Sequence, residues 1–167
     1  MDQKTILIGT IILLVCLIPV TLLKLKVVLA KRKKRKLLDT LAQKNNTSLM
    51  DFEYWNDSAI ALSDKGKLLF VIRSLKENGQ PRAINLSLFD KCRVVNDNAK
   101  SPYKEGNFKV SDGIDLELSG RNNLTERINI YNTEKDGDLL TDELSLAEKW
   151  NRIINGSIMM QVLHAKA

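Results

Sequence analysis

Apolar and polar residues follow three different patterns along this chain. From Ile6 to Leu23 eighteen residues run without an ionisable group other than the Cys16 thiol. At about 1.5 Å rise per residue this covers roughly 27 Å, close to a hydrocarbon core of ~30 Å. Leu25 and Val27 to Ala30 can extend the segment, with Lys24 and Lys26 reaching toward headgroups. The expectation is a transmembrane helix over residues 6–30, with residues 1–5 outside. Pro19 removes one backbone hydrogen bond, which membrane helices tolerate. A cleaved signal peptide fits less well, because the run is long and six basic residues follow Val28-Leu29-Ala30.

Beyond residue 50 the period falls to two. Ala59 to Leu62, a turn at Ser63-Asp64-Lys65-Gly66, and Leu68 to Ile72 predict a hairpin. Ile84, Leu86 and Leu88 alternate with Asn85 and Ser87, and Cys92 and Val94 keep the same parity. Phe108 and Val110 open another strand. Ile114, Leu116 and Leu118 alternate with Asp115, Glu117 and Ser119, and Ile128 and Ile130 with Arg127, Asn129 and Tyr131. These are one-sided antiparallel strands. Leu49, Phe52, Tyr54 and Trp55 read as an aromatic approach packed over the end of the sheet.

The last pattern is helical. Leu140, Leu144, Ala147, Trp150, Ile153 and Ile154 form one stripe; Ser145 to Glu148 fits a capping box, and Asn155-Gly156 a stop. Leu37, Leu38, Leu41 and Ala42 predict a shorter amphipathic helix that ends near Asn45-Asn46-Thr47.

Charge changes the picture in one respect. The chain carries a net +6, but residues 1–36 hold nine Lys/Arg against one Asp, leaving 17 basic and 19 acidic residues beyond. The basicity is concentrated in Lys31, Arg32, Lys33, Lys34, Arg35 and Lys36, so a nucleic-acid partner loses its support. One lysine before the apolar run and eight basic residues after it place the carboxy-terminal side in the cytoplasm. The expected localisation is the cell membrane, single-pass, with the N-terminus outside. The basic block serves as a topology signal or attracts anionic lipid, at about 1 kcal/mol per residue near the surface. Sequons at Asn45, Asn46, Asn56, Asn85, Asn123 and Asn155 then mark only polar loops.

The expected fold class is an N-terminal transmembrane helix plus an α+β domain, mainly antiparallel β. The expected divisions are a basic juxtamembrane helix and linker over 31–50, a domain over 51–158 and a tail over 159–167. The hairpin 59–74, the strand Ile84-Asn85-Leu86-Ser87 with its continuation Asp90 to Val94, and Trp150 in the last helix carry a resemblance in order. The domain resembles the pleckstrin-homology-like barrel, a bent antiparallel sheet capped by a carboxy-terminal helix. Five or six strands are legible where that family has seven, so the resemblance implies a short strand within 96–110. It also implies an anionic headgroup near the first hairpin loop, where Lys65 and Lys67 lie. Two lysines are too few to define such a site, so the scaffold carries over and the ligand does not.

Catalytic groups are sparse. The single histidine is His164, and Cys92 has the parity of a core residue. Asn132 to Glu143 lies on the twelve-residue calcium pattern, with oxygens at Asn132, Glu134, Asp136, Asp138 and Glu143 and a turn at Gly137. Asn in the first position and a strand leading in favour an acidic loop without metal. No other cofactor is implied. The function expected is a membrane-anchored, non-enzymatic binding or scaffold protein that docks a protein partner or membrane complex; the alternative is a sensor of anionic lipid or phosphoinositide.

Overall fold

A computed structural model describes residues 25–73, 79–96, 113–132 and 142–164. The chain divides into two compact units, Met1–Leu37 and Leu38–Ala167. The described part of the first unit belongs to a helix over residues 25–44, α1. Lys31, Arg32, Lys33, Arg35 and Lys36 are exposed on it and Lys34 is buried.

Among the described residues no helix is long and apolar enough to cross a membrane. Of the segment expected to span over 6–30, only residues 25–30 are described, and the remainder lies outside the described residues. The described helix runs on through the basic block to Lys44, so its length is charged rather than apolar. The single-pass topology and the cell-membrane localisation are corrected on this finding.

The second unit is an α+β domain. A four-stranded antiparallel sheet has the order β1 (Leu49–Trp55), β2 (Ser58–Ser63), β3 (Leu68–Ile72) and β4 (Arg82–Asn85). A three-stranded antiparallel sheet follows: β5 (Phe89–Asn96), β6 (Gly113–Gly120) and β7 (Thr125–Asn132). The last element is a 22-residue helix, α2 (Glu143–His164).

The expected aromatic approach over Leu49 to Trp55 is therefore itself a strand. Leu49–Trp55 pairs with β2 from Leu49↔Ser63 to Trp55↔Ser58, with a bulge between Leu49 and Asp51. The Ile84–Leu88 alternation is interrupted. Asn85 accepts a hydrogen bond from the Ser87 N–H and starts a 3-10 turn over Leu86–Leu88, which leaves Leu86 buried and Leu88 57% exposed. That turn takes the chain out of the first sheet and into the second.

The sheets do not close into a barrel, contrary to expectation. Each ladder ends at its own edge strands, and side chains of the first sheet reach the outer edge of β7 instead. Trp55 Nε1 donates to the Ile130 carbonyl at 2.7 Å, and Arg73 donates to the same oxygen at 2.9 Å. Arg82 reaches the Arg127 carbonyl at 3.4 Å and Glu126 at 2.7 Å. Edge carbonyls are thus satisfied without a continuous ladder.

The core lies between the inner faces of the two sheets and α2. Ile60, Leu62, Leu69, Val71 and Leu86 meet Ile114, Leu116, Leu118, Ile128 and Ile130 there, with Trp150, Ile154 and Ile158 of α2. The helix does not stop at Asn155-Gly156. Ile158 is buried one turn later, Gly156 faces open space, and Asn155 makes tertiary hydrogen bonds from a helical position. Burial of that last turn outweighs the helix cost of one exposed glycine, about 1 kcal/mol.

Candidate functional site: a groove beside the end of the last helix

The β2–β3 turn is built by its own sequence. The Ser63 carbonyl accepts from the Gly66 N–H at 2.9 Å, and Ser63 Oγ accepts from the Leu68 N–H at 3.0 Å. Gly66 has φ +65°, which suits a residue without a Cβ. Thr47 and Ser48 hydroxyls donate to the two Asp64 carboxylate oxygens, at 2.5 and 2.9 Å. These hydrogen bonds hold the Asp64 pKa below its ordinary value.

The Gly66 carbonyl then anchors α2. It accepts from Ser157 Oγ at 2.5 Å and from Gln161 Nε2 at 2.7 Å. Gln161 Oε1 accepts from Ser87 Oγ at 2.6 Å, so one amide ties the β2–β3 turn to the β4–β5 turn. On the far side Gly120 packs against the Leu88 carbonyl so closely that a Cβ there would collide with it.

These ties frame a groove of about 1310 Å³ between the last three turns of α2, the start of β1 and the β2–β3, β4–β5 and β6–β7 connections. Its apolar lining includes Met50, Leu88, Leu124, Met160 and Val162, all of them exposed. Single exposed apolar residues are ordinary, whereas several converging on one concavity mark a binding surface. The rim carries both signs: Lys65, Lys67, Arg121 and Arg152, with Asp51, Asp64 and Asp90.

Lys65 and Lys67 are the predicted site residues that the fold places on this rim; Lys31 to Lys36 belong to α1 in the first unit. Of the calcium pattern, Asn132 ends β7 and Glu143 begins α2, while Glu134, Asp136 and Asp138 lie outside the described residues. Glu143 is buried and accepts a hydrogen bond from Asn56 at 3.3 Å. Among the described residues no group of three or more His, Cys, Asp or Glu could hold a metal ion. Cys92 is a core residue whose thiol is pushed up to about 12 by burial, the opposite of an activated nucleophile.

A smaller cleft of about 340 Å³ opens at the start of α2 beside Glu53, Asn56, Asp142 and Glu143. Its central carboxylate is already engaged, since Glu53 accepts from Lys149 and from Trp150 Nε1, both at 2.8 Å. Sequence reasoning missed the larger groove because its walls come from five separate segments. No protein-family model, curated protein or solved structure matches the chain.

Proposed function

We propose that residues 38–164 form a non-catalytic docking module on a pleckstrin-homology-like scaffold, and that the groove beside α2 receives an apolar segment of a protein partner. The observation that carries this reading is the convergence of Met50, Leu88, Leu124, Met160 and Val162 on one cavity with a hydrogen-bonded frame. The scaffold is supported by the order of elements: four strands, three strands and a carboxy-terminal helix packed against both sheets' core. The exposed side chains keep a solvation cost that a docked segment removes, at about 25 cal/mol per Å² of apolar surface buried.

The anionic-headgroup reading of Lys65 and Lys67 has less support. Asp64 stands beside Lys65, and Asp51 and Asp90 share the same rim, so carboxylates repel a phosphate there. Site-specific photo-crosslinking tests the docking reading. A benzoylphenylalanine in place of Leu124 is expected to give protein adducts in cells, and one in place of Val95, on the Arg93 side of β5, to give none. Equal adducts from both positions, or none from either, overturn it.

A further inference from the structure

The basic block of α1 plays no part in the groove. From Leu25 to Lys36 the helix runs unbroken through a stretch with seven basic residues and no acidic one. At about 100° per residue, Leu25, Val28, Leu29, Arg32, Arg35 and Lys36 fall within roughly one third of the helix circumference. All six are exposed, Leu25 and Leu29 by 58% and 54%. Lys34, the buried cation of the block, stands on the opposite side.

On this face each apolar residue is followed seven positions later by a cation: Leu25 by Arg32, Val28 by Arg35 and Leu29 by Lys36. Seven residues are two turns, about 10 Å along the axis. The face is therefore amphipathic along its length, with an apolar end and a cationic end on the same side.

We propose that this face of α1 docks on the surface of an anionic lipid bilayer, with Leu25, Val28 and Leu29 in the acyl boundary and Arg32, Arg35 and Lys36 among the phosphates. A bilayer surface offers hydrocarbon beneath a plane of negative charge. Interfacial helices sink their apolar residues about 5–10 Å at that boundary, a depth that matches the axial step from cations to apolar side chains. The six residues from Leu25 to Ala30 cover about 9 Å, so the contact enters one leaflet only. A nucleic acid would meet the cations but leave the exposed apolar side chains in water, and residues 25–36 hold no aromatic ring on which a base could stack. This surface is independent of the groove and of the docking reading above.

The experiment floats the full chain on a density gradient with vesicles of phosphatidylcholine alone, or of phosphatidylcholine and phosphatidylserine mixed two to one. Binding to the mixed vesicles is expected to be at least tenfold tighter. The combined variant Arg32→Gln, Arg35→Gln and Lys36→Gln should bring the two vesicles to within about twofold of each other. Leu25→Gln, Val28→Gln and Leu29→Gln together should weaken binding to the mixed vesicles at least fivefold. Trp150 fluorescence shows that each variant keeps its folded domain. Equal binding of the parent chain to both vesicles overturns the proposal, as does a cation variant that still prefers phosphatidylserine. Binding lost with the cations but untouched by the apolar variant identifies a surface for polyanions in general, and overturns it too.

Discussion

The Asn155 side chain pairs with both backbone groups of Cys92. Asn155 Oδ1 accepts from the Cys92 N–H at 2.8 Å, and Nδ2 donates to the Cys92 carbonyl at 2.9 Å. A side-chain amide on α2 thereby acts as a one-residue strand on the outer edge of β5. Its Nδ2 also reaches the Asn151 carbonyl at 2.9 Å, which fixes the amide's orientation within the helix.

Asn155→Ala is expected to destabilise the domain by about 2–3 kcal/mol, because it leaves a donor and an acceptor of β5 unpaired. Equilibrium urea unfolding measures it. A loss below about 0.5 kcal/mol contradicts the assigned role.

Gly66→Ala places a Cβ at positive φ and against Ser157 Oγ. The expected cost is about 2 kcal/mol, the sum of a left-handed backbone and a displaced hydrogen bond. Combining it with Ser157→Ala removes the atom it strikes. The double variant should therefore lose less than the two single losses together, and strict additivity in a thermal or urea cycle contradicts the contact.

On the outer face of the second sheet, Glu117 lies between Arg93 and Arg127. Arg93 Nε donates to Oε1 at 2.8 Å, and Arg127 Nε donates to Oε2 at 2.8 Å. The Arg93 hydrogen bond, followed by that of Arg127, holds the carboxyl below its ordinary 4.5. A lowered folded-state pKa means stabilisation that is complete above the unfolded value and lost as pH falls through the folded one. Glu117→Gln should thus be less stable than the parent chain at pH 7, with the gap closing below pH ~4.5. Urea midpoints at pH 7 and pH 3 measure this; a gap that widens in acid contradicts it.

Cys92, with its thiol pushed up to about 12 and its side chain in the core, should resist a disulfide reagent at pH 8. Labelling in buffer is expected to be at least a hundredfold slower than in denaturant, the protection that follows from opening free energies of a few kcal/mol. Equal rates would place the thiol at the surface.

Strands with strict alternation and one wet face were legible. Ile114, Leu116 and Leu118 face the core as their parity requires, and the hairpin pairs Ala59 with Ile72 and Leu62 with Leu69. The Trp150 helix was legible from its stripe. β1 was not, because Leu49–Trp55 bunches its apolar residues and, as an edge strand, buries most of them only partly. Leu88 misled for a different reason: a 3-10 turn changes which way a residue points while the apolar-polar pattern of the sequence runs on through it. The expected strand within 96–110 lies almost wholly outside the described residues, whereas β1 brings the described strands to seven. Gln161 and Ser157 gave no signal, since polar residues late in a helix read as solvent-facing until the partner turn is placed.

The ties between the two sheets also set an order of assembly. Both sheets precede α2 in the chain, yet Ser157 and Gln161 secure the first through Gly66, and Asn155 secures the second through Cys92. A chain emerging from the ribosome can form its hairpins early. It gains the ties through α2 only when the last two dozen described residues have appeared, so a truncation before Asn155 should leave the two sheets held through Trp55, Arg73 and Arg82 and more open to proteases.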